Sequence, residues 1–207
     1  MIKNIIFDFG DVFINLDKTA TVAKLTEKFG AFELTPEMLK VNDDYEMGLM
    51  SSEAFVDFYK SVFKNAATDE LLEAWNAILL DVPQPRFDFI KSLAEKNEYR
   101  LFLLSNTNDI HIQYFINTIS QEKFDLFKGC FEKFYLSYEI KLRKPNASIF
   151  EYVLKDSQLT PEETLFIDDT AEHIATAKSL GIHTWNLIPG KDDITNLFNQ
   201  PHPFKQH

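Results

Sequence analysis

The stretch IIFDFGDVFINLD, residues 5–17, decides the fold of this chain. The apolar run Ile5–Phe7 stops at the carboxylate of Asp8, and Gly10 and a second carboxylate, Asp11, follow before the chain turns apolar again. Apolar residues at consecutive positions are typical of a strand that is covered on both faces of a parallel sheet. Asp8 is therefore either the point where a buried strand meets water or a nucleophile held at the end of a rigid strand.

The same apolar pattern recurs in four other short segments, and helical patterns lie between most of them. The five predicted strands are Asn4–Phe9, Arg100–Ser105, Phe131–Leu136, Thr164–Ile167 and Ile182–Leu187. The predicted helices are Phe87–Lys96, Asp109–Ser120, a helix that Pro145 opens at its first position, and Thr170–Leu180. Strands that alternate with helices predict an α/β fold with a doubly wound parallel sheet.

The interval between the first strand and the helix at Phe87 breaks this alternation. It has no convincing strand pattern, and its helix-like segments include Lys18–Phe29, Ser51–Phe63 and Thr68–Leu79. A structureless loop of this length is unusual in a compact domain. We therefore predict an inserted α-helical subdomain at residues 17–82, with residues 1–16 and 83–207 forming the α/β core.

The composition disfavours several classes of partner. The 207 residues carry a net charge of −11, which argues against nucleic acid as a partner because phosphate-backbone binding needs a basic face. Cys130 is the single cysteine, so a disulfide framework is excluded and a reducing cytoplasm is expected. No apolar run approaches the roughly 18 residues of a membrane span, so no membrane partner is expected. The composition does not determine the oligomeric state, for which a monomer and a weak dimer are the alternatives.

Polar side chains follow the predicted strands at the points where they end. Asp8 follows the first strand, Ser105 ends the second, Lys144 comes after the third, and Asp168 and Asp169 end the fourth. Ligands of open parallel sheets bind at this carboxyl edge. Each residue has an ordinary alternative, as a strand-end hydroxyl, a solvated lysine or helix-capping carboxylates. As a set they predict a site, because carboxylates that end adjacent buried strands repel each other unless a cation lies between them.

The chemistry that suits this set is phosphoryl transfer through a covalent intermediate. A carboxylate such as Asp8 can attack phosphorus and form an aspartyl phosphate, which water then hydrolyses. Mg²⁺ prefers oxygen ligands, and we predict that it bridges Asp8, Asp169 and a phosphate oxygen. Ser105 and backbone N–H groups near Asn106 are predicted to bind the other phosphate oxygens, and Lys144 to balance the negative charge around Asp8.

Four segments, FDFGDV, LLSNT, LRKPN and FIDD, resemble in their order and spacing the haloacid dehalogenase superfamily, in the branch with a helical cap after the first strand. The stretch YEMGLMSSEAF is similar to a cap segment of that branch. The resemblance implies a Rossmann-like core whose active site opens beneath the cap. It also implies that Asp8 is the nucleophile, Ser105 the phosphate-binding hydroxyl and Lys144 the lysine of the site. Asp169 would be the metal-binding acid and Asp168 its neighbour, acting on the metal directly or through water.

Gly10 departs from the usual pattern of phosphatases in this superfamily. They have an aspartate two residues after the nucleophile, which protonates the leaving group and then activates water. Gly10 can offer only its backbone carbonyl to the metal, and an Asp-x-Gly branch with this feature resembles sugar-phosphate phosphatases. Asp11 comes one residue later and would face away in an extended chain, although a bend at Gly10 could redirect it to replace the missing acid. We favour the interpretation of Asp11 as a solvated or loop-bonding carboxylate. Another acid, or water, is then left to transfer the proton.

Two histidines lie near the predicted site. His111 follows Ser105 by six residues and is a candidate contact of the phosphate or leaving group, with a partly exposed helix residue as the alternative. His173 follows Asp169 by four residues, where relatives often carry a polar residue near the metal. Neither position decides between these roles on sequence grounds.

The sequence favours a Mg²⁺-dependent phosphatase of a small phosphorylated metabolite, with a sugar phosphate as the leading substrate. Because Gly10 cannot transfer a proton, an alternative is a catalytically degenerate protein that binds a phosphorylated ligand without hydrolysing it. A 2-haloacid dehalogenase, in which Asp8 attacks carbon, needs no metal and is disfavoured by the pair Asp168 and Asp169. A phospho-receiver module is disfavoured because its acidic pair comes early in a shorter chain.

Overall fold

The protein contains one five-stranded parallel sheet, with the strand order β3-β2-β1-β4-β5. The structure is a computed structural model that describes residues 1–204, so residues 205–207 of the predicted core lie outside it. The strands are β1 Asn4–Phe7, β2 Arg100–Ser105, β3 Lys133–Leu136, β4 Thr164–Asp168 and β5 His183–Asn186. The predicted Rossmann-like α/β fold is confirmed.

Helices connect these strands and form the long insertion after β1. They are α1 Ala20–Phe29, α2 Pro36–Glu46, α3 Ser52–Val62, α4 Thr68–Asn76, α5 Gln84–Lys96, α6 Asp109–Ile119, α7 Gln121–Lys128, α8 Ser137–Ile140, α9 Ala147–Asp156 and α10 Ala171–Ser179. Short 3-10 helices lie at Pro161–Glu163 and Ile194–Asn199. Within residues 1–204, no helix has the length and apolar character that crossing a membrane requires.

Several predicted boundaries are wrong for local reasons. The first strand ends at Phe7, because the carbonyl of Phe9 accepts hydrogen bonds from the backbone N–H groups of Phe13 and Ile14 in a turn. Pro145 does not open a helix; its peptide bond with Lys144 is cis, and α9 begins at Ala147.

Helices α2 and α7 are absent from the sequence-based prediction. The sequence of α2, PEMLKVNDDYE, is mostly polar, and the side chains that it buries are Met38 and Tyr45. Its start carries a clear local signal, because the Thr35 side chain accepts a hydrogen bond from the N–H of Met38 and Pro36 occupies the first helical position. Capping chemistry therefore indicates this helix better than apolar periodicity does.

The two faces of the sheet carry separate apolar clusters. Ile5 and Phe7 pack in one cluster with residues of α5, α6 and α7, and Ile6 packs in the other with residues of α9 and α10. Alternate residues of a strand point to opposite faces, so β1 contributes to both clusters. Because β1 lies in the centre of the sheet, with β2 and β4 on its sides, the residue that follows it is held rigidly.

Helices α1–α4 enclose a third apolar cluster, which includes Tyr45, Phe55 and Leu71. Two antiparallel segments, which we name the linkers, join these helices to the rest of the protein at residues 15–17 and 78–81. Backbone hydrogen bonds of 2.9 to 3.0 Å pair Asn15 with Leu80 and Asp81, and Asp17 with Ile78. The position of the linkers agrees with an insertion after the first strand, and the cap boundaries at residues 17–82 stay a prediction.

Candidate active site

The carboxyl ends of β1, β2 and β4 surround one pocket of about 270 Å³. The sheet order places the end of β1 between the ends of β2 and β4, so side chains that are far apart in sequence meet there. The backbone N–H of Asp8 bonds to the carbonyl of Ile167 at 2.8 Å, which extends the β1–β4 pairing to the first site residue. The predicted site residues that line the pocket are Asp8, Gly10, Ser105, Asn106, His111, Lys144 and Asp169.

Lys144 is fully buried in the centre of the site, although it follows the edge strand β3 in sequence. Its ammonium group donates hydrogen bonds to Asp8 Oδ1 at 2.7 Å and to Asp168 Oδ2 at 2.6 Å. A third bond, of 3.0 Å, goes to the carbonyl of Leu104, and the ammonium lies 5.4 Å from the centre of the Phe166 ring. Lys144 is therefore the fixed cation between the ends of β1 and β4.

The side chain of Asn106 holds the backbone of Lys144. Its amide nitrogen donates to the carbonyl of Lys144 at 2.8 Å, and its oxygen accepts from the N–H of Lys144 at 2.9 Å. Ser105 precedes it, is nearly fully buried and lines the pocket. The predicted phosphate contacts of Ser105 and of the backbone near Asn106 stay predictions, and the Asn106 side chain itself orients Lys144.

The two carboxylates beside Lys144 have opposite electrostatic environments. Burial raises the pKa of Asp8 above its ordinary value, and the charge of Asp168 adds to this rise while Lys144 opposes it. Burial acts on Asp168 too, but Lys144 and His173 outweigh it and lower the pKa of Asp168. Asp168 therefore stays ionised, whereas the ionised form of Asp8 needs the cations that face it.

Asp168 is saturated with hydrogen bonds. Its Oδ1 accepts from the N–H of Thr170 at 2.7 Å, and His173 Nδ1 lies 3.1 and 3.0 Å from its two oxygens. Because a carboxylate only accepts, the Nδ1 atom of His173 carries a proton. Asp168 thus anchors Lys144 and His173, and the neighbouring Asp169 has fewer partners in the protein.

One carboxylate oxygen each of Asp8, Asp168 and Asp169 lies within 4.8 Å of the other two. Oxygen-only donors at this spacing fit a hard divalent cation, which needs few protein carboxylates and keeps several waters. Asp8 and Asp169 are the better candidates for direct ligands, because the oxygens of Asp168 already accept bonds from Lys144, His173 and a backbone N–H. The predicted metal site at these residues and the Gly10 carbonyl stays a prediction.

The side chain of Leu16 lies close to the position that a Cβ atom would take at Gly10. A Cβ atom at this position would lie 2.7 Å from Cδ1 of Leu16, so an aspartate would require the Leu16 side chain to move. Leu16 belongs to the first linker and also lines the pocket. Because Cδ1 is the end of a flexible side chain, Leu16 can give way, and the packing by itself does not exclude an acid at position 10.

Asp11 is a loop-bonding carboxylate, as one of the two sequence-based alternatives had it, but it is buried and not solvated. Its backbone has a φ of 56°, and its Oδ1 accepts from the N–H of Leu16 at 3.1 Å. Its Oδ2 lies 3.0 Å from the ammonium group of Lys18, which also bonds to Asp169. Lys18 was not among the residues predicted for the site, because nothing in its neighbourhood distinguishes it from a solvated linker lysine.

The model of the haloacid dehalogenase-like hydrolase family matches residues 5–187. This chain belongs to that family. The resemblance drawn from FDFGDV, LLSNT, LRKPN and FIDD is thus confirmed at the level of the family and fold.

Similar proteins cover nearly the whole hydrolase. D-ribitol-5-phosphate phosphatase of Bacteroides thetaiotaomicron is 32% identical over 209 residues, which cover 96% of this chain and 100% of that protein. A crystal structure of an HAD family enzyme from the same organism, a magnesium complex, has a TM-score of 0.84 and 33% identity and covers 96% of this chain and 99% of its own. A wild-type complex with magnesium and inorganic phosphate has a TM-score of 0.79 and 34% identity, with 93% and 97% covered.

In the hydrolase, helices α2–α4 rest on the first turn of α6, directly after the Ser105–Thr107 strand end. The hydroxyl of Tyr45 accepts from the N–H of Ile110 at 3.2 Å, and Ser52 Oγ donates to Asp109 at 3.2 Å. Ile110 also packs against the apolar cluster of the insertion, so both polar and apolar contacts join the insertion to α6. Tyr45 and Ser52 both lie in the stretch YEMGLMSSEAF, but their contacts with α6 were not predicted from it.

Glu46, at the end of α2, carries a carboxylate into the lining of the pocket. Arg143 holds Glu46 at 2.9 Å and Asp43 at 2.8 Å, and Ser137 Oγ donates to the carbonyl of Glu46 at 2.6 Å. Burial raises the pKa of Glu46, and Arg143 opposes that rise. Arg143 directly precedes Lys144, so one segment of the core positions both the central ammonium and a carboxylate of the insertion.

The imidazole of His111 joins α6 to the insertion. Its Nε2 lies 3.2 Å from the carbonyl of Trp75, its Nδ1 lies 3.1 Å from the amide nitrogen of Asn108, and the ring stacks on the Trp75 ring with centres 5.2 Å apart. A carbonyl only accepts, so Nε2 carries the proton of a neutral ring. The predicted phosphate contact of His111 stays a prediction, and it would require one of these hydrogen bonds to break.

We expect His111 to destabilise the fold in mild acid. Burial lowers the pKa of His111 to about 4. The unfolded chain therefore takes up a proton near pH 6.5 that the folded protein resists, and stability falls as the pH drops. Between about pH 7 and pH 5, the free energy of unfolding of the wild type should fall by about 1–2 kcal/mol more than that of His111→Gln. Urea unfolding at both pH values measures the difference.

The matched control for this experiment is Gln113→Ala, at an exposed position of the same helix α6. It removes no titrating group, so its loss of stability between the two pH values should follow that of the wild type. Parallel pH slopes for the wild type and His111→Gln would contradict the neutral, desolvated imidazole.

Proposed function

We propose that this hydrolase is a Mg²⁺-dependent phosphatase of a small phosphorylated metabolite, with sugar and polyol phosphates as the leading substrates. The observation that carries the proposal is the buried carboxylate of Asp8 at the end of the central strand, hydrogen-bonded to Lys144 at 2.7 Å and close to two further carboxylates. The 32% identity with a D-ribitol-5-phosphate phosphatase and the magnesium and phosphate complexes of a similar enzyme support it.

In the proposed mechanism, Asp8 attacks phosphorus and displaces the alcohol of the substrate. The carboxylate and the phosphoryl group form an aspartyl phosphate, and water then releases inorganic phosphate and regenerates Asp8. Asp8, Asp169 and the Gly10 carbonyl would hold Mg²⁺, with Asp168 in support. The ion would neutralise the charge that otherwise keeps an anionic nucleophile from a phosphate.

Ser105 and the backbone N–H groups near Asn106 bind the non-bridging phosphate oxygens, and Lys144 keeps Asp8 ionised and in place. Gly10 has no side chain, so the proton of the leaving alcohol comes from water or from another acid of the pocket. Residues 17–82 act as the cap that closes over the substrate and shapes its alcohol site. We further propose a cytoplasmic location, and a monomer or weak dimer.

The test is phosphate release from a panel of pentitol, pentose and hexose phosphates and one aryl phosphate, with Mg²⁺ and with EDTA. We expect turnover of at least one polyol or sugar phosphate, and a loss of ~100-fold or more on chelation, because the metal neutralises the transition-state charge. Turnover of the aryl phosphate alone would show that the pocket cannot protonate a poor leaving group. If no substrate of the panel releases phosphate, and the protein still binds phosphate in the presence of Mg²⁺, then it is a phosphate-binding protein and the phosphatase proposal is wrong.

A further inference from the structure

Two lysines in the pocket each connect two carboxylates, and they differ in their freedom to move. Lys144 joins Asp8 to Asp168 and is fully buried, with a third bond to a backbone carbonyl. Lys18 joins Asp11 to Asp169, and its side chain is 55% exposed. Burial fixes the first ammonium in the site, whereas the second is half exposed and can turn to water once another cation takes its place beside the carboxylates.

The position of Lys18 in the chain adds to this freedom. It follows Asp17, whose N–H bonds to the carbonyl of Ile78 and ends the first linker, and it precedes α1, which starts at Ala20. The polar contacts of its ammonium group in the structure are the carboxylates of Asp11 and Asp169. Lys18 therefore reaches into the pocket from the base of the insertion on a flexible side chain.

Asp169 has more remaining capacity for a ligand than its neighbour Asp168. Apart from Lys18, its side chain accepts a long hydrogen bond of 3.4 Å from the Thr170 hydroxyl. Asp168 has no such capacity, as its oxygens bind Lys144, His173 and a backbone N–H. Lys18 thus occupies an oxygen of the possible cation group that is otherwise available to a divalent cation.

We propose that Lys18 is an internal counter-cation that competes with Mg²⁺ for Asp169 and sets the metal affinity of the site. The inference rests on the proposed function, because it takes Mg²⁺ as the cation of this pocket. Without the metal, Lys18 balances the charge of Asp11 and Asp169. When Mg²⁺ binds, Lys18 leaves Asp169 and keeps its contact with Asp11 or turns to water. Lys144 cannot act in this way, because it is buried between Asp8 and Asp168.

The test compares Mg²⁺ binding by the wild type, Lys18→Met and Lys18→Arg, measured by calorimetric titration. Removing a positive charge beside a metal carboxylate strengthens cation binding, and partial solvent screening limits the gain, so we expect Lys18→Met to bind Mg²⁺ about tenfold more tightly. Lys18→Arg keeps the charge and should stay within about twofold of the wild type. Lys24→Met, on α1 with Glu27 as its ion-pair partner, is the control and should bind as the wild type does.

Thermal unfolding in EDTA and in saturating Mg²⁺ gives a second readout that a merely structural lysine would not produce. In EDTA, Lys18→Met should unfold at a lower temperature than the wild type, because Asp11 and Asp169 have lost their cation. In saturating Mg²⁺ the difference should disappear, since the metal replaces the missing charge. An equal loss under both conditions, with unchanged Mg²⁺ affinity, would overturn the inference and reduce Lys18 to a docking contact.

The same titrations separate the inference from the proposed function. If the wild type binds Mg²⁺ and Lys18→Met binds it no more tightly, the inference fails and the phosphatase proposal stands. If no variant binds Mg²⁺, the proposed function falls and the inference falls with it. Tighter binding by Lys18→Met supports the inference whatever the substrate panel shows.

Discussion

Replacing Asp8 by Asn should abolish phosphate release, with kcat lowered by at least ~10³-fold, because the amide cannot form the acyl phosphate. The substitution keeps the shape of the side chain, and its oxygen can still accept the hydrogen bond that Lys144 now gives to Asp8 at 2.7 Å. The effect therefore reports the loss of the nucleophile. Initial rates with the best substrate of the panel, in saturating Mg²⁺, measure it.

The Asp8→Asn variant should fold at least as stably as the wild type, so its loss of activity would not come from unfolding. Burial raises the pKa of Asp8, so its ionised form costs stability at neutral pH in the metal-free protein. Asp8→Asn removes that charge from beside Asp168 and should unfold in EDTA at the same temperature as the wild type or higher. Asp125→Asn, on the exposed surface of α7, controls for the loss of a carboxylate and should keep full activity. Residual activity of Asp8→Asn above a few per cent would place the nucleophile elsewhere.

The fold and the carboxyl edge of the sheet were predictable because one local pattern encodes both. A buried parallel strand is apolar at consecutive positions, so the first polar residue after it marks the strand end and the place where ligands bind. Asp8, Ser105 and Asp168 are such residues, and in the structure Asp8 directly follows β1, Ser105 ends β2 and Asp168 ends β4. The sheet order then confirmed that β1 and β4, which carry the two acids, are neighbours.

The residues that the sequence did not reveal act across the fold. Lys18 bonds to Asp169, which lies 151 positions further along the chain, and Arg143 bonds to Glu46 across 97 positions. Charged residues in a linker or loop are usually solvated, so their local sequence carries no signal of a partner. These two contacts form because the linkers and the insertion are packed against the core. The geometry of that packing depends on several distant segments, so no single segment of the sequence specifies it.

Lys144→Met should be the most destabilising single substitution in the site. It leaves Asp8 and Asp168 buried at neighbouring strand ends without their shared cation, and breaking a buried ion pair from one side costs about 3–5 kcal/mol. Methionine fills a similar volume, so the loss reports charge and not a cavity. We expect the free energy of unfolding in EDTA to fall by that amount, and phosphatase activity to disappear. Urea unfolding at neutral pH measures the first effect, and Lys155→Met, exposed on α9, is the matched control.

The double variant Asp8→Asn, Lys144→Met tests whether charge balance is the cause. Removing the Asp8 carboxylate from the lysine-free site leaves one buried charge, on Asp168, in place of two, so the double variant should recover part of the stability that Lys144→Met loses. If the double variant recovers no more stability than Asp8→Asn gains by itself, the two effects are additive, which would contradict a shared charge balance. A loss below about 1 kcal/mol for Lys144→Met would show that water enters the site and solvates both carboxylates. In that case the raised pKa of Asp8 would have no structural basis. The main role of Lys144 would then be to bind the phosphate group and not to stabilise the folded protein.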